Sequence, residues 1–298
     1  MANSIAEGIK DKPESLEAEF SLVIQSESQS KRLVIFVEGK SDEQVYSRLF
    51  GECCHTYSSN RWPGMLRLER VTISLNKKYS TRFITIKDAD FDHLEGKTYD
   101  IPNFFLTDTH DLETMMITRT FLRQLTSNYS ITAPCRFVCQ ALTDIIHLSY
   151  LKWMNAKDDR NIPFGRRSCK VGTLYDGCTA VPINDWLATI ASRLPKCKEG
   201  GCVANLPTPE EVNTFEQTHP IKGQILQLTN GHDLIDALVE RLKSSTKRNV
   251  ATKEFEDMLR KSYTMKDFSS TNLYQAISHW EQLTKERPQS VPQVTVQP

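Results

Sequence analysis

The chain has 298 residues (34.1 kDa), 39% hydrophobic and 25% charged, the make-up of a soluble globular protein long enough for one large domain or two small ones. Its 37 basic and 37 acidic residues cancel, which excludes a wholesale basic field for gripping nucleic acid. No apolar run approaches the roughly 18 residues of a membrane span; the start lacks the apolar block of a secretion signal, and eight cysteines without one read as reduced thiols of the cytoplasm.

In chain order, an acidic leader (six acids and two lysines in the first thirty residues) precedes Leu16, Phe20, Val23 and Ile24 at helical spacing, which predicts an amphipathic helix over 14–26. "KRLVIFVEGKSDEQVYSRLF" (31–50) reads as strand, turn and helix. Leu33 to Val37 form the continuous apolar run of a buried parallel strand, Ser41 with Gln44 makes a capping-box signature, and Val45, Leu49 and Phe50 supply an inward face. A second strand is expected within 66–75, "LRLERVTISL", and a third over 82–87. That pair is in tension with a parallel sheet, because only Asn76 to Thr81 separate the two, and a parallel crossover takes a dozen residues or more. Either the second strand lies earlier, or the pair is a hairpin, or the core is trimmed.

Beyond it, "NFFLTDTHDLETMMITRTFLRQL" (103–125) repeats the strand-to-helix theme, with the helix expected from Asp108 or Thr109. Residues 135–155 are helical by period, 156–183 give no assignment, and "NDWLATIASRL" (184–194) is a short helix. Residues 195–211 form a loop by composition, and "GQILQLTNGHDLIDALVERL" (223–242) returns to strand then helix. Helices follow over 252–262 and 270–286, then a disordered tail from 288. The expected organisation is leader and helix 1–30, core 31–127, helical insertion 128–219, core return 220–245, C-terminal helices 246–287 and tail 288–298.

The chemistry concentrates in "RFITIKDADFDHLEG" (82–96), where an apolar strand runs into Asp88, Asp90 and Asp92 at alternate positions. In an extended segment, residues two apart share a side, so Asp88 and Asp90 repel unless a cation or shared proton relieves them. A calcium loop is excluded, since its sixth position is His93 rather than Gly and its twelfth is Tyr99 rather than Glu. A nucleotide P-loop ending in "GKS" (39–41) is excluded because its first glycine would be Val34. There remains a split acidic site, with Glu38 leaving the first strand and Asp88 and Asp90 leaving a later one. If those strands are parallel neighbours, their ends offer hard oxygen donors suited to magnesium or manganese, and thereby to phosphodiester chemistry.

Around this core, Asp92 is either a third ligand or a solvated acid, and Glu113 is a candidate ligand for a second metal. Lys40, if not merely solvated, neutralises a scissile phosphate. Residues 61–82 carry Arg61, Arg67, Arg70, Lys77, Lys78 and Arg82 against Glu69 alone, either a solvated face or a strip that receives a phosphate backbone. "LTDTHDLETMM" (106–116) echoes "LTNGHDLIDAL" (228–238), and a functional reading puts His110, and by the same logic His232, at the acid-bearing end of the sheet. The bland account sets Asp111 and Asp233 in first helical turns, where they complement the macrodipole. Cys169, Cys178, Cys197 and Cys202 lack the close pairing of common zinc sites.

"IFVEGKSDEQVY" (35–46) with "IKDADFD" (86–92) resembles the TOPRIM domain, whose pattern is a strand-borne Glu-Gly-x-x-Asp, here Glu38, Gly39 and Asp42, followed by Asp-x-Asp, here Asp88 and Asp90. The resemblance implies an α/β, Rossmann-like core with a mainly parallel sheet, joined here to a helical insertion and C-terminal helices. It also implies Mg2+- or Mn2+-dependent phosphodiester chemistry, with Glu38 as general acid/base. With "THDLETMM", "NGHDL" and "LYQAISHWEQL" included, residues 31–286 resemble the stand-alone, OLD-like TOPRIM effectors of PARIS-type antiphage defence. That likeness implies a cytoplasmic toxic endonuclease that cleaves host tRNA after release from an ABC-type ATPase sensor subunit, with homodimerisation when active and no membrane. The expected site is therefore Glu38, Asp88, Asp90 and His110 as catalytic residues. Glu38, Asp88, Asp90, Asp92 and Glu113 are the expected metal ligands, and Lys40, Arg67, Arg70, Lys77 and Lys78 the expected substrate contacts. The rivals are a DNA-nicking or relaxing enzyme, which for strand passage would recruit Tyr46, Tyr57 or Tyr79, and a non-catalytic regulatory subunit of the ATPase.

Overall fold

The computed structural model describes residues 13–27, 32–58, 66–162, 164, 171–193 and 205–286. In chain order its elements are α1 (Pro13–Ser26), β1 (Leu33–Val37), α2 (Lys40–Phe50), β2 (Cys54–Ser58), α3 (Leu66–Tyr79), β3 (Phe83–Lys87), β4 (Phe104–Leu106), α4 (Leu112–Met115), α5 (Arg119–Tyr129), α6 (Pro134–Asp144) and α7 (Ile146–Lys157). Then come α8 (Ile183–Arg193), α9 (Pro209–Thr218), α10 (Ile225–Leu228), α11 (Gly231–Thr246), α12 (Thr252–Ser262), α13 (Met265–Phe268) and α14 (Asn272–Glu286). The protein is α/β and Rossmann-like, with a four-stranded, wholly parallel sheet ordered β2-β1-β3-β4. None of the helices is long and apolar enough to cross a membrane among the described residues.

The chain divides into two compact units. The first comprises Met1–Lys87, Tyr99–Leu106 and Phe268–Pro298, and the second comprises Asp88–Thr98 and Thr107–Asp267. In the first unit, β1 and β3 are the inner strands, and every residue of β3 is buried. Their side chains alternate across the sheet. Val34, Phe36, Phe83 and Phe104 join Leu16, Phe20 and Ile24 of α1 and Leu68, Val71 and Leu75 of α3 in one core. Phe20 stacks flat on Phe36 at 3.8 Å between centroids, and the Thr72 and Thr85 hydroxyls share a buried 2.8 Å hydrogen bond. In the second unit, α11 is apolar around most of its circumference, with Leu234, Ile235, Ala237, Leu238, Val239 and Leu242 buried, as befits the central helix that α4, α6 and α12 surround.

Several expectations are corrected. Residues 66–75 are not a strand but the first turns of α3, in which Leu68, Val71 and Leu75 are buried while Arg70 and Ile73 are exposed, a period of 3.6 rather than 2. The second strand is β2, whose "CHTYS" carries no apolar run because an outer strand with one neighbour needs none. The crossover problem thereby disappears: α3 is the crossover between parallel β2 and β3. Helix α4 begins at Leu112 because Asp111 caps it, and the long helix over 135–155 is two helices that break at Ile145.

The expected strand near 225 is the single turn of α10, so the 220–245 segment returns no strand to the sheet. Helix α9 starts inside the expected 195–211 loop, with Thr208 and Glu211 forming a reciprocal capping box and Pro209 in its first turn. The tail from 288 and the leader up to residue 12 lie outside the described residues.

Candidate active site

The strand order makes a switch point. From β1 the chain passes through α2 to β2 on one side, then returns through α3 to β3 on the other side of β1. In doubly wound sheets ligands bind outside the strand C-termini at such a point. Glu38 is the first residue after β1, and Asp88 the first after β3. The β1–β3 register pairs Phe36 with Thr85; carried two residues further, it sets Glu38 across from Lys87, the residue bonded to Asp88.

Within the first unit, the turn that carries Glu38 is clamped by its own motif. The Gly39 N–H donates to Asp42 Oδ2 at 2.9 Å, so Asp42 holds the start of α2, and a Cβ on Gly39 would come within 3.1 Å of that oxygen. This replaces the expected Ser41–Gln44 cap: the N-cap is Gly39 and the acid that reaches back is Asp42. The Lys40 ammonium pairs with Glu43, whose other oxygen accepts from the Ser58 N–H (3.0 Å) and hydroxyl (2.6 Å) at the end of β2. Burial alone would raise the Glu43 carboxyl, but the Lys40 and Ser58 hydrogen bonds outweigh it and hold it below the ordinary glutamate value. Lys40 is thus engaged in closing the α2–β2 corner.

Helix α3 runs from the C-terminal end of β2 back to the N-terminal end of β3. Arg67 and Arg70 therefore stand near the sheet end that carries Glu38, whereas Lys77 and Lys78 stand at the other end, with Lys78 3.5 Å from Glu17 of α1. The expected strip is not one patch. Arg82 is structural, donating to the Glu27 carbonyl at 2.9 Å, and Arg61 lies outside the described residues. Tyr46 is buried against Phe50 and Phe268, the Tyr57 hydroxyl donates to Glu19 at 2.6 Å, and the Tyr79 hydroxyl accepts from Gln25 at 2.9 Å.

Within the second unit, the Asp-x-Asp segment lies along residues 107–112 and is tied to them residue by residue. Asp88 Oδ1 accepts from the Leu112 N–H at 3.3 Å, Ala89 N–H donates to Thr107 Oγ1 at 2.9 Å, and Asp90 N–H donates to the His110 carbonyl at 2.6 Å. Asp90 has φ 48°, left-handed backbone that is uncommon for a residue with a Cβ. Strain of this kind persists where the surroundings impose it, typically at functional sites. His110 is buried; its Nδ1 faces the Gln227 carbonyl at 3.3 Å and its Nε2 faces Asp90 Oδ1 at 3.9 Å. Asp90 and His110 are therefore brought together, and Asp88 is held by Leu112, two residues further along the same segment.

Others are not. Asp92 is buried and pairs with Lys97 at 3.1 Å; Lys97, bonded to Glu95 and Asp92 strongly enough to outweigh partial burial, has its ammonium raised above the ordinary lysine value. Asp92 closes the loop. Glu113 is buried in the first turn of α4, against Gly231. The two His-Asp-Leu echoes differ in register: Asp111 is the N-cap of α4, whereas Asp233 sits in the first turn of α11, where it pairs with Lys152. His232 is half exposed, 3.9 Å from Glu256. Cys178 is exposed, and Cys169, Cys197 and Cys202 lie outside the described residues.

Sequence reasoning missed Lys87, 4% exposed at the end of β3, a cation taken out of water beside the acid-bearing ends and visible only as the polar letter closing an apolar run. It also missed Asp111 as a double cap, which the echo hinted at. Among the described residues no three His, Cys, Asp or Glu side chains form a ready metal cage. Magnesium does not demand one, being commonly held by one or two carboxylates together with waters and substrate phosphate, and the hard oxygens of Asp88 and Asp90 fit that pattern. No protein-family model matches the chain, and no curated protein matches it.

Proposed function

We propose that the protein is a magnesium- or manganese-dependent phosphodiesterase of TOPRIM type, an endonuclease that favours RNA and tRNA in particular. The observation that carries this reading is the direct parallel pairing of β1 with β3 at the switch point, which starts Glu38 and Asp88 from the same end of neighbouring strands. The left-handed Asp90, held by His110, is its second support. A divalent cation in such a setting supplies electrostatic stabilisation of the developing phosphorane charge and lowers the pKa of water. Asp88 and Asp90 would hold it, and the Gly39–Asp42 clamp fixes the backbone from which Glu38 exchanges a proton with the attacking or leaving oxygen. His110, locked through Gln227, orients Asp90.

The same resemblance assigns the cellular role: a toxic effector of antiphage defence in the cytoplasm, restrained by an ABC-type ATPase partner and dimeric when released. A regulatory subunit without turnover is the second reading. Strand passage is disfavoured, since Tyr46, Tyr57 and Tyr79 are all engaged in packing or hydrogen bonds. The test incubates wild type, Glu38→Ala and Asp88→Asn with tRNA and with supercoiled plasmid, in magnesium and in EDTA. Wild type is expected to cleave tRNA only with the metal, Glu38→Ala to be slower by about 10²–10⁴-fold, the usual worth of an acid–base group, and Asp88→Asn to be slower through weakened metal binding. Identical products from all three proteins would reject catalysis at these residues, and binding without cleavage by wild type would favour the regulatory reading.

A further inference from the structure

The loop that carries Asp88 and Asp90 also carries an aromatic ring for which phosphodiester chemistry has no use. Phe91 follows Asp90 and is left partly exposed within the second unit. Its ring meets the His110 ring at 4.9 Å between centroids and 67°, and lies nearly parallel (17°) to the Trp153 indole at 6.2 Å. The indole is pinned in turn: it is buried, its Nε1–H donates to Glu95 Oε1 at 3.2 Å, and Phe215 and His219 meet it edge-on at 5.3 Å each. The loop itself is fastened by the Asp92–Lys97 pair and by His93 Nε2 against the Thr107 carbonyl at 2.7 Å. Phe91 is therefore a backed and fastened ring, next in the chain to Asp90 and packed against the histidine that faces it, rather than a core residue or a loose loop tip.

A phenyl ring there neither binds phosphate nor moves a proton. What it offers is a π surface, and the planar, weakly polar part of a nucleic acid is its base. Stacking on a protein ring is open to any base that is free of its neighbours, whereas a base inside a duplex has both faces covered and must first be extruded. We propose that Phe91 is a stacking platform for an unpaired nucleobase beside the scissile phosphate, so that the site takes single-stranded or loop nucleic acid in preference to continuous duplex. This rests on the reading of Asp88 and Asp90 as a phosphodiester site and names the substrate class that the site accepts.

The test uses 2-aminopurine, whose fluorescence is quenched on stacking, placed in the loop of an RNA hairpin, in the loop of the matching DNA hairpin, and inside a blunt RNA duplex. Each probe is titrated with full-length wild type, Phe91→Ala, Phe91→Leu and Phe91→Trp, with calcium in place of magnesium, and cleavage is followed separately in magnesium. Wild type and Phe91→Trp are expected to quench the loop probes and to leave the duplex probe, already dim from its own stacking, unchanged and weakly bound. Phe91→Leu keeps apolar bulk without a π face and guards against a misfolded alanine variant. It is expected to bind the loop about ten-fold more weakly, or worse, and without quenching. Quenching of the RNA loop alone assigns RNA; equal quenching of both loops assigns unpaired nucleic acid of either kind. The platform is overturned if wild type quenches no loop, if Phe91→Leu binds and quenches as wild type does, or if the duplex, followed by anisotropy, is bound as tightly as the loops. Quenching by wild type without cleavage in magnesium would remove the nuclease and keep the platform, whereas unimpaired cleavage and binding by Phe91→Leu would do the reverse.

Discussion

Asp111 shows how one carboxylate can serve two helices at once. Its Oδ1 accepts the Thr114 N–H at 2.9 Å, capping α4, and its Oδ2 accepts the Gly231 N–H at 2.6 Å at the start of α11. Both donors are among those a helix start leaves unbonded. Asp111→Ala strands the two of them, and since one cap is worth about 1 kcal/mol, the expected loss is about 2 kcal/mol by urea denaturation. Gly231 is part of the same joint, because a Cβ there would overlap the Glu113 Cβ and Asp111 Oδ1. At this scale, the letters Glu-Gly-x-x-Asp and Asp-x-Asp were legible, and the left-handed Asp90 strengthens the second. Which acid faces His110, which caps and which closes a loop was not. Asp92 and Asp90 look alike in sequence, and only the position of Lys97 and His110 separates them.

The elements decide where the positive charge lies. Because α3 runs antiparallel to the strands, Arg70 is near the C-terminal end of the sheet and Lys77 and Lys78 are near the other. Arg70→Glu is expected to weaken substrate binding several-fold in a salt-dependent way, while Lys77→Glu/Lys78→Glu is expected to leave it within two-fold, both read by fluorescence anisotropy with labelled tRNA. A second element-level device joins α7 to α9. His147 Nδ1 lies 2.7 Å from Glu216 Oε1, and that hydrogen bond, outweighing partial burial, raises the His147 imidazolium above its ordinary value of 6.5. A raised histidine contributes stability fully below its unfolded value and loses it as pH climbs through the folded one. From pH 6 to pH 8, the unfolding midpoint of wild type is therefore expected to fall more than that of His147→Gln, as a thermal melt series at fixed salt would show.

At the scale of the whole molecule, the sheet unit is assembled from three separate stretches of chain, the last of which begins at Phe268. That ring is fully buried, with Tyr46 at 5.9 Å and Phe50 and Tyr274 at 5.5 Å each, and the α14 that follows packs on β4. Residues 268–286 thus pack onto elements of the sheet unit far earlier in the chain. Phe268→Ala is expected to cost about 3–5 kcal/mol, the range for emptying a buried phenyl site, measurable as a lowered denaturant midpoint with circular dichroism. The α/β class was legible at this scale from the two apolar runs at 33–37 and 83–87. The discontinuous assembly was not, because residues 99–106 and 268–286 carry no local mark of the neighbours they join.

What the sequence determined by itself was whatever depends on near neighbours: the buried strands β1 and β3, the turn into α2, the helices with a clear apolar stripe, and the carboxylates at the strand ends. Side-chain alternation and helical period are set within a few residues, so they can be read from letters alone. The tertiary structure alone decided the rest. It made 66–79 a crossover helix and the polar "CHTYS" a strand, since an outer strand is recruited by pairing and not by its own hydrophobicity. It also chose His110 as the partner of Asp90, whose N–H donates to the His110 carbonyl at 2.6 Å, while His232 lies near Glu256, because such pairings are fixed by distances of a few ångströms between residues far apart in the chain.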